Sequence, residues 1–278
     1  MQGFDKLSPN GFGALRANSP ILLFDSGVGG LTVLAELRHA LPDAPVIYAA
    51  DMAGLPYGTK SEAEVAARVC GLLGRMAERW QPRLICIACN TASTIALGMV
   101  REVLEIPIVG TVPAIKPAAA MTKTGVIGLL GTEATIRQAY VDNLEAEFAA
   151  DKRLLRQAAP GLVEAAEAKL AGRGDANGAV GEAVAALRAQ PGGERIDTVV
   201  LACTHFPLLR EELQAELGSE VALVDGAQGI ARRIVHLTRN DDFARGEPDR
   251  AVTTGPLAAF EALAPVFAAH GIDRLVQF

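Results

Sequence analysis

Arg83 to Ser93 reads RLICIACNTAS, and Asp197 to Leu209 reads DTVVLACTHFPLL. Each is a short apolar run of strand character that reaches Ala-Cys and then breaks into small polar residues. One ends in Cys89-Asn90-Thr91, the other in Cys203-Thr204-His205. The chain has 278 residues and only four cysteines, Cys70, Cys86, Cys89 and Cys203, yet two of them hold matching places at the ends of two similar strands. Strands of this unbroken apolar kind are buried on both faces and belong to parallel sheets.

Working outward, the same unit recurs. Ile21 to Asp25 is an apolar run followed by Ser26-Gly27-Val28-Gly29-Gly30, after which Leu31, Leu34, Leu37 and Leu41 repeat at helical spacing. The glycines permit close approach of a ligand and the new helix aims free N–H groups at the turn. The spacing is G-x-G-G rather than the dinucleotide pattern G-x-G-x-x-G, so an anionic small molecule suits it better. Val46 to Ala50, closed by Asp51, is the next strand. The turn-rich loop Gly54 to Thr59 and a capping pattern at Ser61 and Glu64 lead into a helix with an apolar face. After Cys89 a helix is expected over residues 93–104, then a short strand at 106–109 and a crossing segment at 111–117. The pattern restarts at Gly125 to Leu130, with helices expected near 136–144, 162–170 and 180–187. The second thiol strand follows, with Pro207 placed to open its helix. A strand at 221–224 and helices over 230–238 and 257–269 finish the chain.

Strands alternating with helices predict an α/β protein of two similar doubly wound lobes with mainly parallel sheets. The expected division is an N-terminal arm over 1–20, a first lobe over 21–112 plus 225–278, and a second lobe over 113–224. Ligands of open α/β sheets bind beyond the carboxyl ends of the strands, so the active site is expected in the cleft between the lobes, with both thiols facing it.

Composition excludes several classes. A net charge of −6 without a local Lys/Arg cluster argues against nucleic acid. The apolar runs are strand-sized, too short to cross a membrane, and the first 20 residues lack the apolar core of a signal peptide. Four unevenly spaced cysteines make no disulfide framework, so a reduced, cytoplasmic setting is expected. Cys86 and Cys89 form a C-x-x-C, but residues three apart in a strand point to opposite faces, and no second C-x-x-C or His pair completes a zinc site. No metal is expected. Cys86 and Cys70 are read as core residues.

Two equivalent acid/base groups flanking one carbon suit inversion of a stereocentre, one removing a proton from its face while the other delivers a proton to the opposite face. A thiol can do both, since its free pKa of about 8.5 is close enough to neutrality to be tuned. The helix starts after both cysteines are expected to favour the thiolate. Asp25 and His205 lie near enough in sequence or register to assist. The alternative for Asp25 is a helix cap, and for His205 a capping or packed residue.

The motifs FDSGVGG, LPYGTKS, IACNTAS, TVPAIKPA, LACTHFPLL and VDGAQGIARRI, in this order from Ile21 to about Ile234, resemble those of the glutamate racemases. The resemblance implies a cofactor-independent isomerase that interconverts L- and D-glutamate and supplies D-glutamate for peptidoglycan, in the cytoplasm and as a homodimer. It implies Cys89 and Cys203 as the catalytic thiols, with Asp25 and His205 as their proton-handling neighbours. Ser26, Tyr57, Gly58, Asn90, Thr91, Thr135 and Thr204 are implied as substrate contacts. The turn Gly131-Thr132-Glu133-Ala134-Thr135 departs from the family's usual Ala-Thr-Lys-Gly-Thr. Glu164, in GLVEAAE, is similar to a glutamate placed near the second thiol, and Glu167 lies one turn away. The arm before Ile21 resembles extensions that some members use to bind an activating cell-wall precursor. Two alternatives stand beside this: an aspartate racemase or another two-cysteine racemase, and a non-catalytic amino-acid-binding protein.

Overall fold

The computed structural model describes residues 17–278, so the arm expected over 1–20 lies outside the described residues up to residue 16. Two all-parallel sheets organise the chain. The first contains β1 (Ile21–Asp25), β2 (Val46–Ala50), β3 (Leu84–Ile87) and β4 (Ile108–Gly110). The second is β5 (Val126–Gly131), β6 (Arg153–Ala158), β7 (Thr198–Ala202) and β8 (Ala222–Val224). Two late strands, β9 (Arg250–Thr253) and β10 (Arg274–Gln277), return to the first, giving the order β10-β9-β2-β1-β3-β4. The second sheet runs β6-β5-β7-β8. Its order matches the β2-β1-β3-β4 part of the first, so each sheet reverses direction beside its opening strand. That reversal leaves a crevice beyond the strand tips, where an α/β sheet receives a ligand. Among the described residues no helix is long and apolar enough to cross a membrane.

The cores follow from the two-residue period of a strand. Ile21 and Leu23 join one cluster with Leu34, Leu37, Ile230 and Ile234, while Leu22 and Phe24 join another with Val69, Leu73 and Ile87. Both faces of β1 are therefore buried, which is why its sequence is continuously apolar. Val126 and Leu130 of β5 divide from Ile127 and Leu129 in the same way. Burying one such side chain fully is worth about 1.5–3 kcal/mol. The two sulfurs of the C-x-x-C divide likewise, Cys86 into the first cluster and Cys89 into the other. Ser61 caps helix Glu62–Trp80, its hydroxyl accepting the Glu64 N–H at 3.3 Å.

The structure adds three strands that the sequence did not announce. β6 and β10 are edge strands, and β9 is only four residues long. Arg153, Arg156 and Gln157 in β6, and Arg274 and Gln277 in β10, interrupt the apolar run that marks a buried strand. The helix expected over 257–269 is two short helices, Leu257–Glu261 and Ala264–Ala268, with Pro265 in the first turn of the second. A proline inside one long helix would remove a backbone bond and clash with the preceding turn. Pro207 opens not an α-helix but the 3-10 turn Phe206–Leu209, which leads into helix Arg210–Leu217.

Candidate active site

Asp25 ends β1 and is fully buried. Its carboxylate is taken up by the turn that follows it. Oδ1 accepts the Ser26 N–H at 2.8 Å and Oδ2 accepts the Gly30 N–H at 2.7 Å. Tyr48 stands behind, its hydroxyl donating to the Gly27 carbonyl at 3.0 Å and lying 3.5 Å from Asp25 Oδ2. Three N–H groups of this glycine turn thus meet the chain's own carboxylates: those of Ser26 and Gly30 meet Asp25, and that of Val28 meets Glu167 Oε1 at 3.4 Å.

Cys89 lies two residues past β3, the strand paired with β1, and so beside Asp25 at the same sheet end. It caps helix Asn90–Val103, its sulfur accepting the Ala92 N–H at 3.5 Å and standing 3.5 Å from Ser26 Oγ. Burial, and after it the charge of Asp25, push the thiol up to about 12, against the two hydrogen bonds that favour the thiolate. The helix start does not prevail here as expected, because Cys89, only 5% exposed, loses more to desolvation than its two hydrogen bonds return.

The second thiol has a different retinue. Cys203 follows β7 directly, and its sulfur is 3.9 Å from His205 Nδ1. The other ring nitrogen, Nε2, is 2.8 Å from Glu167 Oε1. Burial works against the imidazolium, but the hydrogen bonds to Cys203 and Glu167 outweigh it and hold His205 well above the usual histidine range. Thr204 reaches across to the first lobe, its hydroxyl donating to Asp25 Oδ1 at 3.5 Å. Both cysteines therefore face one junction, and the charge of Cys203 is among the influences that raise Cys89. A shallow depression adjoins it, walled by Asn90, Cys203 and Thr204 with Thr111, Asp225 and Gly226 from the two segments that cross between the sheets.

Beyond Cys89 the lobes meet through hydroxyls. Thr91 Oγ1 is 3.0 Å from Thr132 Oγ1 and 3.2 Å from Thr135 Oγ1, and those two are 2.9 Å apart. All three are buried. The turn bearing Tyr57 and Gly58 packs on this cluster: a Cβ at Gly58 would fall 2.8 Å from the Cβ of Thr132. Asn90 is buried with no partner for its Oδ1 among the described residues, an acceptor left open that costs about 1–3 kcal/mol unless a donor arrives.

Of the residues expected from sequence, Asp25, Ser26, Asn90, Thr91, Cys89, Cys203, Thr204 and His205 are brought together, with Thr135, Tyr57 and Gly58 along one edge. Glu164 is not among them. It is exposed on helix Gly161–Leu170, and the carboxylate that meets His205 belongs to Glu167. The buried stripe Leu162, Val163 and Ala166 turns position 167, four residues after Val163, toward the cleft, and 164 away from it. That stripe was visible in the sequence and was the available signal. Thr132, Tyr48 and Asp51 were also missed as parts of the site. Thr132 carried a signal as the cap of helix Glu133–Ile136, whereas the role of Tyr48 depends on how deeply its ring is packed.

Three comparisons relate the chain to known proteins. A glutamate racemase from Sphingopyxis alaskensis is 66% identical over 221 residues, covering 80% of this chain and 82% of the relative. One from Pectobacterium carotovorum is 43% identical over 282 residues, covering 99% and 96%. The crystal structure of Escherichia coli glutamate racemase, in complex with L-glutamate and the activator UDP-MurNAc-ala, superposes with a TM-score of 0.87 at 41% identity, covering 94% of this chain and 98% of that one. Residues 31–234 match the Asp/Glu/Hydantoin racemase family as a whole. The chain belongs to that family, and it is an isomerase.

Proposed function

We propose that this protein interconverts L- and D-glutamate by proton transfer at the α-carbon between Cys89 and Cys203. The observation that carries this is the pairing of two buried thiols from opposite lobes at one junction, each with its own polar partners: Ser26 and Asp25 for Cys89, His205 and Glu167 for Cys203. The relatives named as glutamate racemases and the L-glutamate bound to the Escherichia coli enzyme support glutamate as the substrate.

In this mechanism one cysteine, as thiolate, takes the α-proton, and the other, as thiol, delivers a proton to the opposite face. The roles exchange in the reverse direction. General acid–base catalysis of this kind contributes about 10²–10⁴-fold. Cys89 waits as the neutral thiol, since its pKa near 12 keeps it protonated at neutral pH. A substrate ammonium arriving beside it favours the thiolate by the rule that a nearby opposite charge favours the charged form. Asn90 Oδ1 is the free acceptor for such a donor. The hydroxyls of Thr91, Thr132 and Thr135 with the Gly58 backbone receive the distal carboxylate, their mutual hydrogen bonds exchanged for bonds to it. Preorganised donors of this kind stabilise the carbanion and the charges around it without reorganising at the moment of reaction. We assign the reaction to the cytoplasm, in a homodimer, as a supply of D-glutamate for peptidoglycan. The UDP-MurNAc-ala that activates the Escherichia coli enzyme supports the cell-wall setting.

The test follows optical rotation of L- and D-glutamate, with L-aspartate as control, in deuterium oxide. Both glutamate enantiomers are expected to converge on the racemate with deuterium at the α-position. Binding without loss of rotation would overturn the proposal.

The two glutamates of helix Gly161–Leu170 give a sharper check. Because His205 is held well above its usual pKa, its imidazolium persists through neutrality and is lost only as pH rises past that raised value. Glu167→Gln removes one of the two hydrogen-bonded groups responsible, so the loss moves down in pH. The alkaline limb of kcat/KM is expected to shift toward neutrality, with a deficit on the order of tenfold on the alkaline side that narrows as pH falls. Glu164→Gln, on the exposed face, is expected to leave the profile unchanged. Superimposable pH profiles for Glu167→Gln and the unmodified protein would remove Glu167 from the mechanism.

A further inference from the structure

The turn that carries Tyr57 and Gly58 has no capping side chain of its own. It is held from behind. The Tyr57 hydroxyl donates to Asp51 Oδ2 at 2.5 Å, and Asp51, the residue after β2, is fully buried. Arg68, on helix Glu62–Trp80, grips the same carboxylate with two nitrogens, Nε on Oδ2 and Nη2 on Oδ1, the latter at 2.6 Å. Thr254, just past β9, donates its hydroxyl to Oδ1. Four donors from three further elements thus meet the two oxygens, about as many as a carboxylate can accept.

Arg68 reaches Asp51 from the outer side of the first lobe, its side chain 32% exposed. Without it Asp51 would be a buried carboxylate lacking a cation, a state costly enough to turn the group toward water. That turn releases the Tyr57 hydroxyl. Gly58 rests on Thr132, so a shift of the turn moves the wall that faces the three buried threonine hydroxyls.

We propose that Arg68 is a positioning residue for substrate length. Through Asp51 and Tyr57 it fixes the distance between the Gly58 backbone and the threonine cluster, and so the place where a five-carbon dicarboxylate ends. This rests on the reading of the cleft as a glutamate site. Its effect belongs in substrate binding and in the preference for glutamate over aspartate, not in proton transfer.

The experiment measures kcat and KM for L- and D-glutamate, and the rate on L-aspartate, for the full chain and for Arg68→Ala and Arg68→Lys. Arg68→Ala is expected to raise KM about tenfold or more for both enantiomers with kcat within about threefold, the signature of binding lost equally in ground and transition state. Preference for L-glutamate over L-aspartate should narrow. Added guanidinium ion should recover part of the KM, a response that general loosening of the fold would not give. Arg68→Lys retains the charge and the fold, but an ammonium cannot fork onto two oxygens, so its KM should also rise, by less. Unchanged KM in Arg68→Lys together with either an unchanged KM or a failure to fold in Arg68→Ala would overturn the proposal. So would a loss confined to kcat, or a raised KM that guanidinium does not relieve. Absence of glutamate racemisation in the unmodified protein would show, before any variant is compared, that the reading of the cleft itself fails, and the proposal with it.

Discussion

Cys89→Ser and Cys203→Ser are each expected to lower kcat/KM for glutamate on the order of 10³-fold, and by the same factor in both directions. The size follows from the chemistry: a serine hydroxyl has nearly the shape of the thiol but ionises far outside the working range, so the proton-transfer contribution of about 10²–10⁴ is lost. The equality follows from thermodynamics. The equilibrium constant between two enantiomers in water is one, so no substitution can change kcat/KM for one alone. Isotope exchange is not bound in this way. In deuterium oxide each variant retains one thiol on one face. That thiol can, as thiolate, remove the α-hydrogen of the enantiomer that faces it, exchange the hydrogen it has taken up with the solvent, and return deuterium to the same face. Cys89→Ser and Cys203→Ser should therefore wash deuterium, without inversion, into opposite enantiomers. Mass spectrometry of the separated enantiomers reads the pattern. Exchange into the same enantiomer in both variants, or undiminished racemisation in either, would sink the two-thiol assignment.

That the two thiols stood out in the sequence has a local cause. A buried parallel strand is a continuous apolar run, and the residue just past its end is at the ligand-binding edge whatever the rest of the chain does. The strand β1 and the tips at Asp25, Cys89 and Cys203 needed no knowledge of packing. Features that depend on how elements turn against each other were less legible. Glu164 and Glu167 differ by less than one helical turn, and the packing of Leu162, Val163 and Ala166 decides between them. The edge strand β6 carries arginines that pair outward, Arg156 with Asp142 at 2.6 Å and with Glu145, and so lacks the apolar signature of its neighbours. The protonation of Cys89 was least legible of all. The helix start argued for the thiolate, but the burial of Cys89 in one core cluster with Phe24, Ile87 and Tyr57 is a property of the fold, and it reverses the sign.

Gly29 gives the second large expectation, because it tests whether the closed contact between the lobes is the working geometry. A Cβ at this position would lie 2.6 Å from the backbone nitrogen of His205 and 2.7 Å from both its Nδ1 and the carbonyl carbon of Thr204. These atoms belong to the opposite lobe, and two of the three are backbone, which has no rotamer by which to yield. Gly29→Ala must therefore push the second lobe away from the glycine turn. The displacement would pull Thr204 from Asp25 and shift His205, and with it the support of Cys203, relative to Cys89. A misplacement of about 1 Å between catalytic groups can cost on the order of 10²-fold, and a loss of that size in kcat/KM is expected. The lobes have separate cores, so the melting temperature should fall far less than the activity. Gly71→Ala is the control. Gly71 lies on an exposed part of helix Glu62–Trp80 with open space where its Cβ would be, and alanine there should stabilise by about 0.5–1 kcal/mol with activity intact. Full activity in Gly29→Ala would mean that catalysis runs with the lobes apart. The contacts joining Asp25 to Thr204 and Val28 to Glu167 would then mark a resting form rather than the one that holds a single α-carbon between two sulfurs.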